Sequence, residues 1–232
     1  MKRTIDAVII DLDGTMVDTM GDFVVAINLM LGDLPLPETR LPLDAARVSQ
    51  MVGKGSEHLV KSVLNHVQVN MQTAQPAIDL EAHYDFAFDR YQAHYAAVNG
   101  QHSVVYPGVL EGLRGLHGTG LPLVCLTNKP VAFARALLAL KGLDGFFGTV
   151  FGGDSFERKK PDPLPLLKTC ALLGTTPART LMIGDSSNDA QAARAAGCPV
   201  LLVTYGYNHG EPVQTVDADG LIDSLAHMRW PQ

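Results

Sequence analysis

The sequence predicts an α/β protein: a Rossmann-like, doubly wound parallel sheet with an all-helical domain inserted near its start. Three observations carry that expectation. Ala7-Val8-Ile9-Ile10 is a continuous apolar run, as suits a strand buried on both faces of a parallel sheet. Within residues 19–99 apolar side chains recur at helical spacing. After Tyr106-Pro107-Gly108, strand-like and helix-like segments alternate, which is the pattern of a doubly wound sheet.

The elements follow in order. The first strand stops at Asp11-Leu12-Asp13-Gly14-Thr15, where polarity and a glycine end it. Phe23, Val24, Ile27, Met30 and Leu31 share a helical stripe, and residues 58–67 and 80–98 repeat the pattern. Pro35, Pro37 and Pro42 punctuate the early part of this region. Phe86, Phe88, Tyr91 and Tyr95 read as packing within the insert. The core is therefore assigned to 1–18 and 100–232, and the helical cap to 19–99. In the second part of the core, 121–126 is a strand ending at Thr127-Asn128. Residues 133–140 form a helix, with Gly142 beyond it. Residues 149–151 form a short strand, and 163–173 a helix that tolerates Pro163 and Pro165 in its first turn. Residues 181–183 form a strand ending at Gly184-Asp185. A helix over 189–196 closes at Gly197, and 200–203 is a further strand. Tyr207 and Asn208 are placed near the sheet edge without a chemical role.

Composition narrows the function. The chain has 232 residues, 47% hydrophobic and 18% charged, enough to bury a large core. Its net charge is −6 with no basic stripe, which argues against a nucleic-acid partner. Cys125, Cys170 and Cys198 are odd in number and unpaired in spacing, so they are expected to be reduced thiols rather than a disulfide frame or zinc site. None of the eight histidines forms a zinc-like pair with another ligand. The first apolar run is too short for a signal peptide or membrane span. A cytoplasmic protein without a membrane partner is expected, either a monomer or a homodimer.

Chemistry gathers where strands end. In an open α/β sheet, ligands bind at the carboxyl ends of the strands. Asp11 and Asp13 end one strand, Thr127 and Asn128 another, and Asp185 and Asp189 follow a third. Carboxylates converging on one rim repel unless a cation lies among them, and hard oxygen ligands select Mg²⁺, with Mn²⁺ as the alternative, over zinc. Lys159 and Lys160 lie between two of these elements, and a lysine at that rim would neutralise a bound phosphate.

Four runs make a resemblance plain. Asp11-Leu12-Asp13-Gly14-Thr15, Leu126-Thr127-Asn128-Lys129, Lys159-Lys160-Pro161 and Gly184-Asp185-Ser186-Ser187-Asn188-Asp189 resemble, in order, the four motifs of the haloacid dehalogenase superfamily. Tyr106-Pro107-Gly108-Val109, Thr127-Asn128-Lys129-Pro130, Phe151-Gly152-Gly153-Asp154 and Thr204-Tyr205-Gly206-Tyr207-Asn208 are similar to its bacterial phosphoglycolate phosphatase group, which also carries a helical cap after the first motif. Asp162 departs from the histidine common there.

The resemblance implies a phosphatase for a small phosphate monoester, foremost 2-phosphoglycolate. The alternatives are a sugar phosphate or pyrophosphate, a phosphosugar mutase, or a non-catalytic phosphate-binding protein. It makes Asp11 the nucleophile that forms an aspartyl-phosphate and Asp13 the general acid and base. Dehalogenases lack this second aspartate and transport ATPases carry threonine there. The metal ligands would be Asp11, Asp185 and the backbone carbonyl of Asp13, with Asp189 as an outer residue orienting waters or Lys160. Lys160, directly before proline, is preferred over Lys159 as the partner of Asp11 and phosphate. Thr127 and Asn128 would donate hydrogen bonds to the phosphoryl group, and Gly14 would allow a sharp turn beside it. Lys54, in Val52-Gly53-Lys54-Gly55-Ser56, resembles a cap-loop residue. It either meets a substrate carboxylate or is an exposed turn lysine.

Overall fold

The computed structural model describes residues 4–35, 42–70 and 81–228. Residues 1–3 of the core assignment, the break at Pro37 and the helix start at Leu80 lie outside these. Ala7–Ile10 forms β1, buried throughout. Its side chains alternate between two apolar layers, Val8 and Ile10 on one face and Ile9 on the other, as the period of a strand requires. Leu123–Leu126 (β4) and Thr180–Gly184 (β6) flank it, both parallel. Thr149–Phe151 (β5), Val200–Val203 (β7) and Gly220–Ile222 (β8) complete a six-stranded sheet of order β5-β4-β1-β6-β7-β8. All its pairings are parallel.

Helices cover both faces. Val109–Gly118 (α5) and Val131–Leu140 (α6) supply Val109, Leu113, Leu116, Leu137 and Leu138 to one layer. Leu164–Leu173 (α7) and Ser187–Ala196 (α8) supply Leu166, Cys170, Ala190 and Ala193 to the other. The sheet is doubly wound, as the alternation predicts.

The insert is helical. Met20–Asp33 (α1), the single turn Ala45–Val48 (α2), Ser56–Asn70 (α3) and Tyr84–Val98 (α4) share their own buried cluster, which runs from Met20 to Val98 and centres on Ile27, Met30, Val60, Val63, Tyr91 and Tyr95. Among the aromatic positions expected to pack, Tyr91 and Tyr95 are buried, whereas Phe86 is exposed. Val17–Asp18 (β2) and Val104–Val105 (β3) pair antiparallel at its base. Asp22, fully buried, accepts hydrogen bonds from the Gly100 and His102 N–H groups at 2.8 and 2.7 Å, pinning the outgoing and returning chain together. No helix among the described residues is long and apolar enough to cross a membrane, and the three cysteines are free thiols.

Candidate active site

Because β1, β4 and β6 are neighbours and parallel, the residues that follow them emerge at one rim. Ile10 lies opposite Cys125 on one side and Ile183 on the other. Asp11, Thr127 and Asp185 therefore leave the sheet side by side. Asp11, Asp185 and Asp189 are all buried, and one carboxylate oxygen from each lies within 4.8 Å of the other two.

Lys160, from the β5–α7 connection, enters this triad. Its Nζ donates to Asp189 Oδ1 at 2.6 Å and to the Leu126 carbonyl at 2.9 Å. It also lies 2.8 Å from Asp11 Oδ1, off the hydrogen-bonding angle, so that this buried oxygen keeps no hydrogen bond. Lys159 instead pairs with Glu57 at 2.5 Å nearer the surface. Asp189 Oδ2 accepts from the Asp185 and Ser186 N–H groups and from Ser186 Oγ, closing a reciprocal cap on α8. Both Asp189 oxygens are thus held by protein donors.

The electrostatics follow from one cation among three buried carboxylates. Burial, opposed by Lys160 and assisted by Asp189, pushes the Asp11 carboxyl up to about 7. Burial and then the Asp189 and Asp11 charges push Asp185 well above the usual carboxylate range. Burial would lower Lys160, but the charges of Asp11 and Asp189 outweigh it and hold the ammonium above its ordinary value. Hard oxygen donors, excess negative charge and an unbonded buried oxygen on Asp11 fit a divalent cation.

Asp13 sits one turn out. Its Oδ1 accepts from Lys129 Nζ and from Thr19 Oγ1, both at 2.8 Å. Gly14 makes that turn with φ +81°. Thr127 Oγ1 accepts from the Lys129 N–H, which leaves its own hydrogen to donate. The Asn128 side-chain amide donates to the Gly53 carbonyl at 3.0 Å and to the Lys160 carbonyl at 2.8 Å. Both of its N–H groups are spent on the scaffold.

Asp11, Asp13, Thr127, Asn128, Lys160, Asp185 and Asp189 all line one cavity, roofed by insert residues including Phe23, Val52, Leu59, Tyr91 and Tyr95. Lys54 does not line it. Lys54 is exposed, although Gly53 and Gly55 on either side contribute to the wall.

Lys129, Asn188 and Tyr207 also line the cavity and have no role from sequence. Lys129 lies inside Thr127-Asn128-Lys129-Pro130, and a lysine two places past a strand-end threonine is the available signal. Asn188 donates to the Gly53 carbonyl at 3.1 Å. Tyr207 is not a bystander at the sheet edge: its N–H donates to Asp185 Oδ2 at 2.6 Å, its hydroxyl bonds Asp18, and it accepts from the Thr19 N–H at 2.8 Å. Only the fold brings residue 207 back to the first loop. Asn208 also acts, accepting from the Ser187 N–H at 2.8 Å at the start of α8.

A family model for haloacid dehalogenase-like hydrolases matches residues 5–197. The chain belongs to the haloacid dehalogenase-like hydrolases. It is 44% identical over 222 residues to the phosphoglycolate phosphatase of Thiobacillus denitrificans, covering 96% of this chain and 93% of that one. It is also 44% identical to the plasmid phosphoglycolate phosphatase of Cupriavidus necator, over 94% and 89% of the two chains. The crystal structure of a predicted phosphoglycolate phosphatase from Haemophilus somnus superposes with a TM-score of 0.87 at 31% identity, covering 96% and 95%. The helical insertion and parallel sheet are thus those of this hydrolase family.

Proposed function

We propose that this hydrolase is a Mg²⁺-dependent phosphatase that converts 2-phosphoglycolate to glycolate and phosphate. The observation that carries the reading is the meeting of Asp11, Lys160 and Asp185 at one rim, in a chain similar over nearly its whole length to phosphatases of that name. Asp11 attacks phosphorus, forming an O–P bond as the bond to the glycolate oxygen breaks. Asp13 gives that oxygen a proton, then takes one from the water that cleaves the aspartyl-phosphate. Lys160 offsets negative charge at Asp11 and the phosphoryl oxygens, and Asp189 holds Lys160 in place.

Thr127 donates its hydroxyl to the phosphoryl group. Since the Asn128 amide is engaged elsewhere, Asn128 contributes its backbone N–H. A divalent ion held by Asp11, Asp185 and the Asp13 carbonyl would screen nucleophile from phosphate. Residues 19–99 act as the cap that excludes bulk water. The substrate is multiply charged and does not cross a bilayer unaided, so the enzyme works in the cytoplasm, as a monomer or homodimer.

The test is Asp11→Asn with Mg²⁺ and 2-phosphoglycolate. Phosphate release should fall by roughly a thousandfold or more. Undiminished release by the variant would remove Asp11 as nucleophile.

A further inference from the structure

The phosphoryl end of the cavity has its partners; the end that receives the alcohol is less obvious. We infer that Lys129 binds the carboxylate of the leaving group and so sets a preference for anionic over neutral alcohols, an inference that rests on the phosphoglycolate reading. Lys129 and Lys160 are the only cationic side chains among the described residues lining the cavity. Lys160 is committed between Asp11 and Asp189. Lys54, the cation expected from sequence to meet a carboxylate, is exposed and outside the lining.

Lys129 stands where the chemistry needs it. Its Nζ is 2.8 Å from Asp13 Oδ1, and Asp13 is the group that serves the departing oxygen. In phosphoglycolate a single methylene separates that oxygen from the carboxylate, so the cation bonded to the acid is also the cation beside the carboxylate. The ammonium is buried, with 6% of the residue exposed. It lies 4.7 Å from the Tyr95 ring centroid and 5.0 Å from that of Phe23, and donates to the Tyr95 hydroxyl at 2.5 Å. An ammonium has three N–H donors. Asp13 and Tyr95 take two, and the third remains for a ligand oxygen. The aromatic walls keep water away and lower the local dielectric, which strengthens attraction for an anion.

Phe23 and Tyr95 belong to α1 and α4 of the insert, whereas Lys129 belongs to the core. The carboxylate subsite is therefore complete only with the insert seated on the core.

The experiment compares kcat/KM for 2-phosphoglycolate with that for ethyl phosphate, whose leaving group is neutral, in the Mg²⁺-loaded enzyme. The ratio cancels any loss common to both substrates, including disturbance of Asp13. Lys129→Met removes charge and donors. Lys129→Gln removes the charge but can still donate to Asp13. In both, the ratio should fall roughly 10- to 100-fold, the size of a charge-assisted hydrogen bond. A cooperative thermal melt shows that a variant is folded. A ratio unchanged within about threefold in either folded variant overturns the inference but leaves the substrate reading intact. A collapse in Lys54→Ala, which alters an exposed residue, would move the carboxylate to the cap loop and also overturn it. If the wild type favours ethyl phosphate over phosphoglycolate, the substrate reading itself fails.

Discussion

A Cβ on Gly14 would stand 2.1 Å from Asp185 Oδ2 and 2.9 Å from a Tyr207 ring carbon, at a φ of +81°. Neither the conformation nor the space admits another residue. Gly14→Ala should therefore displace Asp185, cutting phosphate release at least tenfold while raising the Mg²⁺ concentration needed for half-maximal rate; a metal titration of activity reads both. A variant with the wild-type titration would contradict this packing. Asp11 and Asp185 were legible in the sequence because a carboxylate directly after an apolar strand is conspicuous. Lys129 and Tyr207 were harder to see. Their roles depend on partners more than 100 positions distant, Asp13 for the lysine and Thr19 for the tyrosine.

At the scale of elements, one carbonyl ties the loop before α3 to the rim twice. Gly53 O accepts from both Asn128 and Asn188. The nearby Lys159–Glu57 pair is partly exposed, and such pairs contribute about 0–1 kcal/mol. Buried neutral hydrogen bonds contribute about 1 kcal/mol, and leaving a polar partner unsatisfied costs more. Asn188→Ala should raise KM for 2-phosphoglycolate by roughly 3- to 10-fold with a smaller change in kcat, whereas Glu57→Gln should alter kcat/KM by less than about threefold. Steady-state kinetics on the two variants gives the comparison, and the reverse ranking would assign the loop to the ion pair.

The strands and helices of the sequence reading are recovered with shifted ends. The strand expected from 121 begins at Leu123, because Pro122 has no N–H to give the ladder; its carbonyl still accepts from Val8. The helix expected from 189 begins at Ser187, set by the cap at Ser186. Helix α5 is masked in the sequence by three glycines of low helix propensity, Gly112, Gly115 and Gly118, although Val109, Leu113 and Leu116 keep a buried stripe. Strand β8 was missed because it is three residues on the sheet edge.

For the whole molecule, the buried triad links stability to pH. The folded Asp11 carboxyl titrates near 7 instead of 3.8, and Asp185 is shifted the same way. Between those values the folded state keeps protons that the unfolded chain has lost. Stability of the metal-free protein therefore falls as pH rises through this window, and the share due to Asp11 is complete above about pH 7. Protein stripped with EDTA should melt lower at pH 8 than at pH 5.5. Mg²⁺ should restore more at pH 8, where fewer protons compete with it for the carboxylates. Scanning calorimetry would settle the order, and a metal-free protein more stable at pH 8 would contradict it.

The helical region carries its own apolar cluster and joins the rest through the short ribbon of β2 and β3. Phe23, Val52, Leu59, Tyr91 and Tyr95 of the cavity wall belong to that contiguous stretch, whereas Asp11, Lys160, Asp185 and Asp189 do not. Selection can therefore redraw the substrate range by altering or exchanging one segment of chain, with the hydrolytic apparatus inherited unchanged.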